Sequence, residues 1–489
     1  MNLGNSIRHG AKWVFIGNTG SQVINFALGL ILARLMMPSD FGMVATIMIF
    51  TGLAGFIAGG GMGQALVRAK EASKRDYDLL FTLQLLIGAA IFGFFYAIAP
   101  WFAKWYAEPL YADLLRVSAL SFFIRPFFNV PSNILFRAMQ FKAKTMVQFA
   151  NLVAYNAVSL SMAFFGYGPW SLVVASLVSS VIGAALFAKA ARWMPGLSLD
   201  LARARELARY GFLVSANNIV GYLRGQAATF VLSRAVGPAG VGIFDKARSV
   251  SSKPHGFITG SVYEVLFRAL ATEQDNLDKC RYLFFRSITL VLVYAMPFYV
   301  GMMWLAKPLV ITLYGQRWAE TAEPLALLCL AGPFMVVENL SGAVLAARSW
   351  LGRELLPQII MVVVTGAAAI LGLEYGLKGV AIGLTLAAAY MATHMFWLAK
   401  QAIKARWLDL LIAFRPALLL NLILATALLT AEHLLPGVVK SHPIPYVLAM
   451  TAAGGLVYAL SFLYLPLGTL QTEQQRWIAK FRLPGNQLA

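Results

Sequence analysis

Five basic residues stand inside stretches otherwise apolar enough to lie in lipid: Arg125, Arg224, Lys246, Arg248 and Lys253. A basic side chain at mid-bilayer costs about 2.5–3.5 kcal/mol on insertion scales, so it faces a cavity or a partner. Arg125 lies about halfway along its stretch. Arg224 precedes Arg234 by ten residues, about 15 Å at helical rise, which also places it mid-membrane. Guanidinium groups pair with phosphate oxygens in a planar, bidentate way. Arg125, Arg224 and Lys253 are therefore candidate ligands for a multiply charged anion, with structural pairing as the alternative. Lys246 and Arg248 have a local explanation, because Asp245 sits beside one and three residues before the other. Glu338, also mid-stretch, is either a counter-ion or a proton or cation site for coupling. Uncharged polar residues share faces with these charges: Asn18, Gln22 and Asn25; Arg125, Asn129 and Asn133; Ser215, Asn218, Tyr222 and Gln226. Such stripes either meet the hydroxyl groups of a substrate or join helices to one another.

What must position these residues is a membrane scaffold. The chain has 489 residues, 59% hydrophobic and only 12% charged, with a mean hydropathy of +0.70. A soluble chain is nearer a quarter charged. A spanning helix needs roughly 20 mostly apolar residues. Fourteen stretches qualify, near 13–34, 41–65, 79–103, 114–137, 145–166, 169–189, 211–234, 240–267, 282–305, 324–347, 355–374, 378–400, 413–434 and 445–467. The expected fold is an all-α polytopic membrane protein. The first stretch follows Arg8, His9 and Lys12 as a signal peptide would, but it lacks a clear small-residue cleavage site and reads as an uncleaved span. The second holds a glycine run (Gly52, Gly55, Gly59, Gly60, Gly61, Gly63) that permits close packing or bending.

Loop charge orients the chain. Of the 40 basic residues, 27 fall in the termini and one alternating set of loops, and 8 in the other set. The positive-inside rule then places both termini in the cytoplasm. This bias also accounts for the formal charge of +19. No zinc knuckle or aromatic-basic RNA motif suggests nucleic acid. Loops on the opposite side are short, the longest around 305–323, leaving no room for an external catalytic domain. There is no Walker motif, no metal-ligand spacing around Cys280 and Cys329, and no convincing Ser-His-Asp set. No cofactor or metal is expected.

The segment from Leu32 through Arg34 and Pro38 to Gly42 recurs as Leu232 through Arg234 and Pro238 to Gly242, an offset of 200. A second echo joins Gly166-Tyr167-Gly168-Pro169 to Gly376-Leu377-Lys378-Gly379. Two parallel six-helix repeats (spans 1–6 and 7–12) plus spans 13 and 14 follow, with a site where the halves meet. The corresponding divisions are an N-terminal lobe at 1–192, a cytoplasmic linker at 193–209, a C-terminal lobe at 210–402, two added helices at 403–470 and a cytoplasmic tail at 471–489.

Four stretches carry a family resemblance: the turn at 32–42, the run from Gly61 to Arg68 with the charged loop up to Asp76, the run from Asn133 to Lys142, and that from Gly166 to Val173. The chain resembles the polysaccharide-transporter branch of the multidrug/oligosaccharidyl-lipid/polysaccharide flippase superfamily, specifically Wzx-type and colanic-acid-type exporters. Span 8 departs from that pattern, carrying Asp245, Lys246, Arg248, Lys253, His255 and Glu264 and ending in Phe267-Arg268. The resemblance implies two lobes around a cavity that opens alternately to each side. It implies a polyprenyl-diphosphate oligosaccharide as substrate, and a polymerase and chain-length regulator as partners. Within that reading Arg125, Arg224 and Lys253, with Asn18, Gln22, Asn129 and Asn218, line the cavity, and Glu338 or Asp245 serves coupling or counter-ion roles. The alternatives are a cation-coupled exporter of small amphiphiles, a flippase of the peptidoglycan precursor, and a membrane-embedded polysaccharide polymerase. The last is disfavoured by the short external loops.

Overall fold

The structure, a computed structural model, describes residues 20–59 and 61–481. These residues are helical almost throughout. In chain order the helices are α1 (Gly20–Leu35), α2 (Pro38–Gly59), α3 (Met62–Arg68), α4 (Lys74–Trp105), α5 (Leu110–Ala119), α6 (Ser121–Arg137), α7 (Phe141–Phe164) and α8 (Trp170–Ala191). There follow α9 (Leu201–Ala235), α10 (Gly237–Ser251), a π-helical turn at His255–Thr259, α11 (Gly260–Thr272), α12 (Leu277–Trp304), α13 (Ala306–Tyr314), α14 (Ala322–Cys329) and α15 (Gly332–Ala347). The chain continues as α16 (Leu351–Gly372), α17 (Gly376–Ile403), α18 (Trp407–Leu434), α19 (Gly437–Ser441), α20 (Pro443–Tyr464) and α21 (Gln471–Phe481). Among the described residues, each of the fourteen expected spans coincides with one helix or with helices set end to end, the eighth including a π-helical turn. Asn18 lies outside the described residues.

By length and hydropathy alone, seven helical segments among the described residues qualify to cross a membrane, one of them holding both α16 and α17. An eighth is added if the pair ending in α14 and α15, bent by 50°, counts as one span. The long helices α7 and α9 fall outside that set because they carry polar residues along their length, such as Asn151 and Asn156 on α7 and Arg224 and Gln226 on α9. Polarity that would be costly in lipid marks helices whose faces meet protein or a cavity.

The chain divides after Gly242 into two compact units. In the first, α9 packs along α2 and α3. It is held at its start by Arg203, whose Nε donates to Asp76 Oδ1 at 3.0 Å. Near its end the Ser233 hydroxyl lies 3.1 Å from that of Tyr106. In the second unit the largest apolar core draws on α11, α12, α15, α17 and α18.

Backbone conformation carries the repeat further than the side chains do. Gly166 (φ 79°) and Gly376 (φ 66°) are both left-handed, which is why glycine recurs there. Two further pairs share that conformation without glycine: Met139 (φ 54°) with Ser349 (φ 58°), and Arg192 (φ 49°) with Lys404 (φ 53°). Arg192 and Lys404 are the C-caps of α8 and α17. Arg137 and Arg348, one residue out of that register, make similar contacts at helix ends. Arg137 donates to Leu66 O, Ala69 O and Lys70 O around the end of α3. Arg348 donates to Gln274 O just past α11 at 2.5 Å. Carbonyls left open at a helix end need such donors.

The two Pro-x-x-x-Gly turns touch each other inside the first unit. A Cβ on Gly42 would lie 2.6 Å from the Pro238 carbonyl carbon and 2.8 Å from Gly242 N. A Cβ on Gly242 would lie 2.7 Å from the Pro38 carbonyl carbon and 3.1 Å from Gly42 N. Backbone therefore meets backbone reciprocally, and only glycine fits on either side.

Candidate functional site

The glycine run of α2 resolves into close packing, and its spacing explains where the polar face of α6 goes. A Cβ at Gly55 would lie 2.9 Å from Arg125 Cζ, one at Gly59 2.7 Å from Asn129 Nδ2, and one at Gly63 2.8 Å from Asn133 Cγ. Residues four apart on α2 and on the following α3 thus meet residues four apart on α6. Side chains separated by four positions share a helix face, so the two four-residue periods interlock as one seam. The missing Cβ atoms make the room that a guanidinium and two carboxamides occupy.

Arg125 is half-buried, with its Cζ 4.9 Å from the centre of the Phe122 ring, a cation–π contact. Gly52 of the same run faces α9, where a Cβ would lie 2.6 Å from Tyr222 Cζ. Tyr222 OH donates to Met48 O, and its ring centre is 5.3 Å from that of Phe56. Ser215 Oγ donates to Phe56 O at 3.0 Å. Arg125 and Tyr222 lie within electrostatic reach of each other, which draws α6 and α9 to the same stretch of α2. Arg224 is half-buried two residues past Tyr222, while Gln22 and Asn218 are exposed. The first unit thus holds Arg125, Asn129 and Asn133 on one seam. It uses Ser215 and Tyr222 as ties to the α2 backbone rather than as part of an open polar face.

The remaining expected residues belong to the second unit. Asp245 accepts from Arg248 at 3.4 Å, the pairing their spacing suggests. The Lys246 ammonium lies 5.4 Å from the Tyr314 ring centre and 5.1 Å from that of Trp318, so aromatic faces receive this cation. Lys253 is exposed.

His255 was not among the expected site residues. It opens the π-helical turn, and that turn and α11 pack on α15, bringing the imidazole within electrostatic reach of Glu338. Tyr299 of α12 lies against the His255 backbone, with its ring on Gly332. Nδ1 of His255 and Oγ1 of Thr259 are buried without a hydrogen-bond partner among the described residues. Single π turns inside α-helices recur at functional sites. The sequence signal was Lys253-Pro254-His255-Gly256, where a proline and a glycine bracket an ionisable residue in an apolar stretch. Among the described residues no group of three or more His, Cys, Asp or Glu side chains has the geometry to hold a metal ion.

Residues 31–323, more than half the chain, match the family described as polysaccharide biosynthesis protein. Residues 200–448 match a second family, the lipid II flippase MurJ. Among curated proteins the chain is 25% identical to the lipopolysaccharide biosynthesis protein WzxC of Escherichia coli (strain K12), over 71% of each chain. It is 24% identical to the succinoglycan biosynthesis transport protein ExoT of Rhizobium meliloti (strain 1021), over 94% of this chain and 93% of that one. Among solved structures, the inward closed conformation of the lipid II flippase MurJ superposes with a TM-score of 0.75 at 16% identity. That match covers 91% of this chain and 98% of the other, and at such identity it speaks to fold.

Proposed function

The chain belongs to the polysaccharide biosynthesis protein family, and from that membership we propose that it is a flippase for polyprenyl-diphosphate-linked oligosaccharide repeat units. It carries them from the cytoplasmic to the periplasmic leaflet by alternating access, for exopolysaccharide, capsule or O-antigen synthesis. The printed names of WzxC and ExoT support this assignment. The observation that carries it is the seam of α6 against the glycines of α2. Arg125 offers a guanidinium to an anionic diphosphate, and Asn129 and Asn133 on the same face offer amides suited to sugar hydroxyls. Arg224, Gln22 and Asn218 complete the proposed lining in the first unit, Lys253 is a candidate cation of the second unit, and Asn18 lies outside the described residues.

The rest of the reading follows the repeat and the loop charges. The lobes are 1–192 and 210–402 joined by 193–209, with two added helices at 403–470 and a tail at 471–489. The recurring left-handed caps support that division. The protein resides in the bacterial inner membrane with both termini cytoplasmic, as the 27-to-8 distribution of basic residues argues. It acts as a transporter without catalytic chemistry of its own and works beside a polymerase and a chain-length regulator. Coupling falls to Glu338, with His255 as its proton-exchanging neighbour.

A binding titration tests the site. A soluble-chain analogue of the oligosaccharide diphosphate should bind the purified protein, and Arg125→Ala should weaken it by about tenfold or more, since a hydrogen bond to a charged group contributes about 1.5–3 kcal/mol. Equal affinity of the Arg125→Ala protein would remove Arg125 from the site. The match of residues 200–448 to MurJ favours the peptidoglycan precursor as a second reading. Stronger competition by that precursor than by the oligosaccharide would promote it.

A further inference from the structure

The tail helix α21 builds one wall of a cavity remote in sequence from the seam. It is fastened in place by two side chains. Gln474 Nε2 donates to Phe462 O at 2.8 Å and Leu465 O at 2.7 Å, closing carbonyls at the end of α20. Trp477 Nε1 donates to Tyr294 OH on α12 at 2.9 Å. So anchored, the N-terminus of α21 stands over a cavity of about 490 Å³ that is bounded also by α12 and the start of α18.

Two arginines enter this cavity from α12. Arg286 donates to Thr469 O and lies 3.9 Å from Glu473. Arg281 donates to Lys404 O at 3.0 Å and to Asp278. A guanidinium carries five N–H donors, so neither arginine is exhausted by these bonds. The Thr472 side chain lines the cavity beside them. The first N–H groups of any helix lack partners in its own ladder, and a helix start favours an anion, so α21 adds to the same potential. Asp409, the one carboxylate among the described residues in the lining, accepts from Arg406 N at 2.8 Å as the cap of α18.

The flank of the cavity is apolar and faces outward. Tyr282 is 66% exposed and Ile412 52%, and both line it. Leu408, on the face of Ile412, is 61% exposed. Trp407 is also exposed, with the Lys400 ammonium 5.6 Å from its ring centre. Tryptophan, tyrosine and basic residues side by side mark the headgroup level of a bilayer, and basic pockets between spanning helices accept anionic headgroups.

We propose that this cavity binds the phosphate of an anionic membrane phospholipid, with its acyl chains lying along Tyr282, Leu408 and Ile412. The phosphate sits between Arg281, Arg286 and the start of α21. This site is independent of the transport reading, and a phospholipid there fixes α21 against α12.

The test uses the full chain in neutral phosphatidylcholine nanodiscs with trace phosphatidylglycerol bearing a photoreactive acyl chain, adducts being mapped by peptide mass spectrometry. Adducts should concentrate on Tyr282 and on 407–412, and excess unlabelled phosphatidylglycerol should displace them. Arg281→Gln should lower their yield about fivefold, the value of one basic contact to an anionic lipid. Thr472→Glu should lower it at least as much. It puts a carboxylate at an exposed position near a helix start, where a negative charge is favourable to the fold. Equal labelling by a photoreactive phosphatidylcholine would overturn the proposal, as would unchanged yield in both variants. Displacement by polyprenyl phosphate at concentrations where phosphatidylglycerol fails would assign the site to the carrier lipid instead and overturn it equally.

Discussion

Spans 2 and 8 are related by an offset of 200 residues and spans 4 and 10 by 210, and each pair meets inside its own unit with opposite chemistry. In the first copy Gly55, Gly59 and Gly63 face Arg125, Asn129 and Asn133. In the second, the positions of those glycines hold His255, Thr259 and Tyr263. The position of Arg125 holds Met335, that of Asn129 keeps Asn339, and the charge of the seam is now Glu338. Bulk has changed sides as well: a Cβ on Gly342 would lie 4.0 Å from Tyr263 Cε2, so the small residue is now on span 10. One backbone arrangement thus carries a guanidinium held among glycines in one copy and an imidazole within reach of a carboxylate in the other. Under the proposed function, anion binding falls to the first copy and proton or cation exchange to the second.

The strongest way to break this comparison is to fill the glycine seam. Gly55→Leu should destabilise the protein by about 3 kcal/mol, the upper range for overpacking, read as a fall in the unfolding midpoint in detergent. His255→Leu, at the equivalent position, should shift that midpoint far less, because a large side chain is already housed there. Equal losses would mean that the two seams are packed alike. Next in size is Arg125. Arg125→Ala should cut transport about a hundredfold, as loss of a bidentate charged pairing of about 3 kcal/mol implies. Arg125→Lys should fall between, because a point charge replaces a planar fork. Full activity in Arg125→Lys would reduce the site to simple charge.

Smaller effects test whether the repeat shares its structural contacts while its chemistry diverges. Arg137→Ala opens contacts to three carbonyls and should cost about 2 kcal/mol, and Arg348→Ala, with one such bond described, about 1 kcal/mol. Thermal unfolding of both proteins checks the order, and its reversal would argue that the two arginines do not play the same structural part. Glu338→Gln should leave stability nearly unchanged. It should make transport indifferent to the ion gradient, whereas undiminished gradient dependence would take coupling away from Glu338.

Much of this fold is legible in the sequence because lipid imposes a simple rule. Fourteen apolar stretches of spanning length announce the helices, and the Arg-x-x-x-Pro-x-x-x-Gly turns announce the repeat, since a backbone approach as close as Gly42 to Pro238 excludes every other residue. The turns at Met139 and Ser349 are hidden because their left-handed backbone is adopted without glycine. The seam lay half in view. The glycine run and the stripe of Arg125, Asn129 and Asn133 each stand out, yet nothing in one stretch names its partner, which packing alone decides. His255 was visible only as an unusual charge in span 8. It opens a π-helical turn packed on α15, and helical periodicity does not announce such a turn.

Transport itself provides the most direct test. The protein would be reconstituted in liposomes with a fluorescent polyprenyl-diphosphate oligosaccharide, and exposure of the label to an external quencher followed over time. Translocation by the wild-type protein and its loss in folded Arg125→Ala are expected. Failure of folded wild type to move several such oligosaccharides, alongside export of a small cationic amphiphile, would contradict the proposed function.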